Sequence, residues 1–465
     1  MRMVKYEIWG IVLIWIQSKL SFPLSRESMR VDSRESGNDK HMAKVKTIPK
    51  IWLGVLLLPL FLLGCSRAQE AKPITPSVSP DIAGLQVRTL EALWNKINDS
   101  YVYDDFHGLD WGGVLETYEP LAATAEGEAF DDLLREVVAP LPEESVAFQT
   151  RQERIEQAVT ATDTSTYEGI GAFVSVLAEP EPRVVILSVM PGSPAEAAGI
   201  QAHDSILAVD GEPVRADEGN DVILRVRGPA ATDVVLQVRT PLAGTRDVTV
   251  TRGRVERSQL VTPVKVEVLP GTKVGYVAFP PSTYEAIMQD LVTGLQLAFN
   301  EGSMTSLILD LRAVHASDTD WPLGSMLTLF ANGDLGQFYS RAEQNPLTVE
   351  GQNVFGSQVI PLTVLVGENT TGFAEVFAAA VQDAGRATVV GAQTPGSVEI
   401  MESFFLPNGS QLFLTTTTYR TATGRDVGLL GVEPDVLVAA TWDSVSAEVD
   451  VVRETAVNLA SNNGG

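Results

Sequence analysis

Few residues of this chain could do covalent chemistry, and most of them fall in its last third. Thr370, Thr371 and Ser397 are hydroxyls in turn-like stretches, His315 is the sole histidine after residue 203, and Asp318 and Asp320 follow it closely. A hydroxyl, an imidazole that takes its proton and a carboxylate that orients the imidazole is an arrangement that carries acyl transfer. The plainer alternative is that the threonines cap a helix, Ser397 fills a turn and His315 is a solvated loop residue. Metal chemistry has no support here, since no cysteine and no second histidine accompany the scattered carboxylates.

The elements that must position these groups can be read from periodicity. The apolar run Leu362 to Val366 is strand-like, and Phe373, Val376, Phe377, Ala380 and Val381 fall on one face of a helix. Asn369, Thr370 and Thr371 are expected to cap that helix and Gly385 to stop it, before a second strand over Ala387 to Val390. Val274 to Phe279, Tyr284 to Phe299 and Ser306 to Arg312 repeat the order strand, helix, strand. Two such crossovers imply an α/β layer on a mostly parallel sheet. Leu406 to Ser410 reads as a hairpin turn, Gln411 to Tyr419 as a Thr-rich strand, and the tail after Ala447 as helical, then frayed.

Upstream, Leu90, Leu93, Trp94 and Ile97 share a helix face, and an apolar, aromatic helical segment continues through Tyr101 to Tyr103 and Leu109 to Trp111 as far as Val138. From Tyr167 the pattern turns to short β-rich runs. The loop Glu168-Gly169-Ile170-Gly171-Ala172 precedes a strand from Phe173, and Ser193-Pro194-Ala195-Glu196 opens a short helix that Gly199 ends. Asp204 to Gly211 is a strand running into a tight turn. Together these resemble a PDZ domain over residues 167–253, with His203 where the family usually has glycine. A Gly-rich loop can aim backbone N–H groups at a C-terminal carboxylate while the next strand accepts the peptide by β-augmentation. Gly169, Ile170, Gly171, Ala172 and Phe173 are the expected peptide-binding residues; the alternative is a module kept for packing or gating.

The 465 residues carry a net charge of −25, and residues 1–64 hold ten Lys and Arg against five Asp and Glu, so their removal leaves −30. A surface that acidic argues against nucleic-acid binding and against an anionic-membrane patch, since both need clustered Lys and Arg. Lys44, Lys46 and Lys50 precede an apolar run, Ile51 to Leu63, too short to span a bilayer, and then Gly64 and Cys65. Leu62-Leu63-Gly64-Cys65 resembles a bacterial lipobox, which implies lipidation of Cys65, the chain's single cysteine, and an exported protein held at the outer face of the bacterial membrane. Met42 is favoured over Met1 as the start.

The order helical segment, PDZ, α/β core, with Leu307 to Arg312, Glu375, Gln382-Asp383, Gly385-Arg386-Ala387, Thr394 and Gly396, Leu406-Pro407 and Gly409-Ser410, and Gly431 to Asp435, resembles the C-terminal processing (tail-specific) serine peptidases. The resemblance implies an α+β multidomain protein with a ClpP/crotonase-like core. It divides the chain into an upstream extension (1–41), lipoprotein signal peptide (42–64), anchor and linker (65–81), helical domain (82–165), PDZ domain (166–256), peptidase-like α/β domain (257–447) and tail (448–465). It also implies a Ser nucleophile, a Lys base and a Gln that orients the Lys, at positions occupied here by Gly372, Ser397 and Met401. A Lys base needs direct reach to the Ser hydroxyl in a desolvated pocket, and no Lys occurs after Lys273. The oxyanion loop of the family, Asn-x-Gly-Gly, is replaced by Ala313-Val314-His315-Ala316. No cofactor or metal is expected. The sequence therefore points to a non-hydrolysing homologue that binds polypeptide C-termini or an envelope protein. The rivals are an active serine endopeptidase with a rearranged site built on Thr371 or His315, and a structural subunit of an oligomer.

Overall fold

The computed structural model describes residues 78–142, 145–161, 166–256, 263–302, 304–315 and 320–463. Residues 42–64, expected to be a signal peptide, Cys65, most of the expected tether and Asp318 lie outside them.

The amino-terminal part is helical but does not close a core alone. Helix α1 (Pro80–Ser100) starts earlier than the apolar pattern, because Ser79 caps it through the Ile82 N–H and Pro80 takes the first turn. Helices α2 (Trp111–Ala122) and α3 (Glu128–Val138) follow. The stretch from Tyr101 to Asp110, expected to be helical, is a linker with a single 3₁₀ turn at Phe106–Gly108. Its aromatics are used for packing instead: Tyr101, Phe106 and Trp111 stack in series. Strand β1 (Val146–Gln149) and helix α4 (Arg151–Ala161) complete the segment. Leu90, Leu93, Ile97, Phe130 and Leu134 are buried together with Leu406, Leu412 and Leu414 from far downstream. Sequence periodicity reveals the helices but not this shared core.

The PDZ-like part begins and ends on the paired strands β2 (Thr166–Gly169) and β9 (Gly253–Glu256). Between them β3 (Ala172–Leu177), β4 (Arg183–Val189), β5 (Ser205–Val209), β6 (Glu212–Pro213), β7 (Asp233–Thr240) and β8 (Gly244–Thr251) form one antiparallel sheet in the order β3-β4-β5-β7-β8, with β6 on β5. Two short helices, α5 (Pro194–Ala197) and α6 (Val222–Val226), pack on it. Ser193 caps α5 as expected, but the Glu196 carboxylate reaches the Gly192 N–H and not that of the cap residue.

The core sheet runs β10 (Lys265–Val268), β11 (Val274–Ala278), β12 (Ser306–Asp310), β15 (Leu362–Val366), β16 (Ala387–Gly391), β19 (Val436–Leu437), parallel from β11 onward. Side chains alternate across it. Leu307, Leu309, Val364, Val366 and Val389 meet helices α7 (Ile287–Gly302), α8 (Leu323–Phe330) and α9 (Gly372–Asp383). Ile308, Leu365 and Val390 meet Val452, Ala456 and Ala460 of the last helix, α11 (Val451–Asn463). The segment expected to be a tail is thus one layer of the core. Helix α7 starts at Ile287 and not Tyr284, whose hydroxyl instead accepts from the Val264 N–H and donates to Asp290.

A second sheet, β1-β18-β13-β14 with β17 on β18, is built from β13 (Gly333–Tyr339), β14 (Gln344–Val349), β17 (Ile400–Phe405) and β18 (Gln411–Arg420). Beside it lies the short helix α10 (Val427–Leu430).

Candidate active site and peptide-binding edge

Strand β15 leads through residues 367–371 into α9, the turn that the sequence marked for a nucleophile. Gly372 opens the helix at φ +62°, in the left-handed region that favours glycine. The cap expected from Asn369, Thr370 and Thr371 is not made: Thr371 is the cap residue but gives no side-chain hydrogen bond to the helix. Thr370 is fully buried, its hydroxyl donating to the Leu311 carbonyl and accepting from the Gly367 N–H. This hydroxyl fastens the turn to the end of β12 and is occupied.

The structure brings Gly372 and Ser397 together, through backbone: the Gly372 N–H donates to the Ser397 carbonyl at 2.7 Å. Ser397 is exposed, and Met401 stands on β17 with 38% of its surface in solvent. The 313–315 loop lies against the same turn, because the Thr371 N–H donates to the Val314 carbonyl at 3.2 Å. The Val314 N–H donates to Leu311 at 3.0 Å. Three amides around the turn, those of Val314, Thr371 and Gly372, are therefore spent on protein carbonyls, whereas stabilising a tetrahedral oxyanion requires donors aimed at the reacting atom. His315 is solvent-exposed on one side; the protein packed against its other side lowers its pKa by desolvation, partly opposed by a hydrogen bond to the Asn369 backbone. Asp320 is exposed and makes no ion pair with His315 among the described residues.

Glu375, in the first turn of α9, is fully buried and holds the loop opposite. Its carboxylate accepts from the Thr394 hydroxyl and from the Gly396 N–H at 2.7 Å, and Thr394 in turn accepts from the Val432 N–H at 2.7 Å. Burial raises its pKa from 4.5 to about 7, against the lowering effect of those hydrogen bonds and of one from the Ser397 amide. A route by which it could reach substrate is lacking at zero exposure. Its work is to position the 394–397 loop.

On the PDZ-like part, β3 is the terminal strand of its sheet, so one edge of its backbone is unpaired within that sheet. The loop before it has a defined polarity. The Ile170 carbonyl accepts from the Ala195 N–H at 2.8 Å and the Gly171 carbonyl from the Met190 N–H at 3.1 Å. In a trans peptide a carbonyl and the next N–H point opposite ways, so the N–H groups of Gly171 and Ala172 face away from α5 and β4. Gly171 sits at φ +79°, and a Cβ there would lie 2.4 Å from that of Ser193, so a larger residue breaks the loop itself. Of the other residues expected here, Gly169 ends β2, Ile170 is anchored in the module's core, and Ala172 and Phe173 begin β3.

The PDZ-like part is fastened to the core by residues that sequence reasoning missed. Asp443, just past the core sheet, accepts from Arg183 through Nε at 2.6 Å and Nη2 at 3.2 Å, from Ser205 at 2.7 Å, from Arg239 at 3.2 Å and from Thr441 at 2.9 Å. Burial alone would raise its pKa, but the hydrogen bonds from Arg183, Ser205 and Thr441 and the Arg183 charge bring it down to about 2. Trp442 stacks on His203 at 4.0 Å, donates its indole N–H to the Ile186 carbonyl, and lies under the Arg312 guanidinium. His203 adopts φ +75°, the backbone its glycine-substituted position demands, and its ring nitrogen meets the Trp442 carbonyl at 2.7 Å. Arg312 is buried between Asp310 and Asp450 and leads directly into the 313–315 loop. The only signal in the sequence is Asp310 and Arg312 at the end of the apolar run Leu307 to Leu309.

Known proteins agree with this layout. Residues 273–438 match the family model for peptidase family S41, 185–240 that for the PDZ domain and 89–139 that for the tricorn protease C1 domain. A carboxyl-terminal-processing protease of Picosynechococcus sp. is 29% identical over 380 residues, 79% of this chain and 87% of the relative. One from Synechocystis sp. is 28% identical over 386 residues, 79% and 84% of the two chains. Among solved structures, the photosystem II D1 C-terminal processing protease superposes with a TM-score of 0.58 at 26% identity, covering 79% of this chain and 95% of that one. Among the described residues no helix is long and apolar enough to cross a membrane.

Proposed function

We propose that this chain, a relative of the carboxyl-terminal-processing peptidases of family S41, binds polypeptide C-termini through its PDZ domain without hydrolysing them. The observation that carries the reading is the state of the β15–α9 turn. Its first helical residue is Gly372, with no side chain to attack a carbonyl, and the amides of Val314, Thr371 and Gly372 are engaged within the protein. No Lys occurs after Lys273, and the two in the core, Lys265 on the edge strand β10 and Lys273 just before β11, are exposed. The outward N–H groups of Gly171 and Ala172, beside the open edge of β3, support the binding half of the reading. On this reading the protein is exported through the signal peptide at 42–64 and held at the envelope by lipid on Cys65, as an adaptor or inhibitor of an active relative.

The second reading, an endopeptidase with a rearranged site, is favoured by one contact: the 313–315 loop that carries His315 touches the turn that carries Thr371. Purified mature protein offered an unfolded substrate with an apolar C-terminus separates the two. Binding without cleavage is expected. Cleavage that disappears in Ser397→Ala or His315→Ala sinks the non-hydrolysing reading.

A further inference from the structure

His203 stands where the PDZ family usually has glycine, and the structure gives that departure a partner. The ring stacks on Trp442 at 4.0 Å, and the residue keeps only 8% of its surface in solvent. The two belong to different parts of the molecule. His203 lies in the turn between α5 and β5, and Trp442 in the strap that follows β19 and leads to α11. The indole N–H donates to the Ile186 carbonyl of β4 at 3.0 Å, while the Trp442 carbonyl accepts from the His203 ring at 2.7 Å. This pair, as well as Asp443, seats the PDZ sheet on the core.

A carbonyl only accepts, so the ring nitrogen that meets it, Nδ1, already carries a proton. A second proton must go to Nε2 and makes the ring a cation, which the seam receives poorly. Burial pushes the His203 pKa below the ordinary 6.5, partly opposed by the hydrogen bond to the Trp442 carbonyl. Arg312 lies over the same indole at 5.6 Å and opposes a further positive charge, whereas Asp310 and Asp450, which favour one, are both paired with Arg312. The other carboxylates nearby are held elsewhere: Asp204 by Gln201, Thr240 and Arg246, and Asp443 by Arg183. Glu368, in the β15–α9 turn, accepts from the Trp442 N–H at 3.2 Å; burial raises its pKa, so acid acts through it in the opposite sense. Away from the core, the His203 ring meets water and binds a proton with its ordinary affinity. The seated position is therefore fully favoured above about pH 6.5 and loses ground as pH falls below it.

We propose that His203 is a proton-operated latch between the PDZ domain and the core: the neutral ring seats the domain on Trp442, and the protonated ring releases it. The latch operates whether or not the core cleaves peptide.

The test uses the full mature chain, isotopically labelled at tryptophan, and follows hydrogen exchange of the Trp442 indole by NMR, because that proton is bonded across the seam. Dividing each rate by that of a short tryptophan peptide at the same pH leaves the opening constant of the seam. In wild type it should be flat above about pH 7 and rise below about pH 6.5, by up to about tenfold per pH unit for a single proton. His203→Gly and His203→Asn both suit the φ of +75° at this position. Either may open more readily at every pH, since the stack is lost, but the rise below pH 6.5 should vanish, and only that slope is read. An opening constant flat down to pH 5 in wild type overturns the latch. A slope retained in the two variants overturns it as well and assigns the response to another group.

Discussion

Replacing Asp443 by alanine should loosen the PDZ domain from the core, and the size of the effect follows from what the substitution strands. Arg183 and Asp443 expose only 2% and 3% of their side chains. Without the carboxylate, the Arg183 guanidinium keeps only the Glu179 and Glu181 carbonyls, and Ser205 and Arg239 each lose an acceptor. Removing one member of a buried pair costs about 3–5 kcal/mol, because the other charge is left uncompensated. Native-state hydrogen exchange reads this locally: amides of β4 and β5 should exchange roughly 10²- to 10³-fold faster or more, at about 1.4 kcal/mol per decade. The double variant Arg183→Met with Asp443→Leu should recover most of the loss, since neither charge then remains to be solvated. Acid should act as the variant does. A carboxyl held at about 2 contributes its full stability above about pH 4 and loses it as pH falls through 2. Exchange within threefold of wild type in Asp443→Ala, or a double variant no better than the single, would refute the reasoning.

Glu375 gives the opposite pH sign. With its folded pKa raised to about 7, the native state keeps a proton that the unfolded chain has released, so stability drains as pH rises from about 4.5 toward 7, by roughly 3 kcal/mol in all. Glu375→Gln should therefore stand above wild type in urea midpoint at pH 8 and close to it at pH 4.5; a pH-independent difference contradicts the assignment. Gly372→Ser should cost about 1–2 kcal/mol, because serine is forced into the left-handed region, and should leave a fluorogenic peptide uncut. Turnover by that single variant would reveal a base already in place, with His315 as the first suspect. Cys65→Ala should move the protein out of the membrane fraction, and unchanged fractionation counts against the lipobox.

Local signals served well where neighbours in sequence are neighbours in space. The β15–α9–β16 unit was legible from the apolar run at Leu362 and the helix face from Phe373 to Val381, and the PDZ sheet from its punctuation at Gly171, Ser193 and Gly199. The turn chemistry was less so: Thr370 reads as a cap by type, yet its hydroxyl serves a strand 59 residues away in sequence. The 101–110 linker continues the apolar, aromatic composition of the helices on either side of it, and irregular spacing leaves no period to mark the break. The Asp443 anchor, His203 against Trp442 and the docking of α11 are single contacts between distant segments, and composition or periodicity carries no trace of such pairings. At the site itself, sequence supplied the identity of the groups at 372, 397 and 401, whereas the engagement of the surrounding amides required coordinates.

The shared core of the amino-terminal helices carries a consequence for how the chain reaches its native state. Strand β1 pairs Val146 with Leu414, and the faces of α1 and α3 are closed by residues on β17–β18 and their hairpin. Nearly the whole polypeptide must emerge before these helices can bury their apolar side. Such high contact order slows folding and prolongs exposure of sticky surface. The amino-terminal helices thus wait for the carboxyl-terminal hairpin, and a chain truncated before residue 411 would leave them without the partner that completes their core.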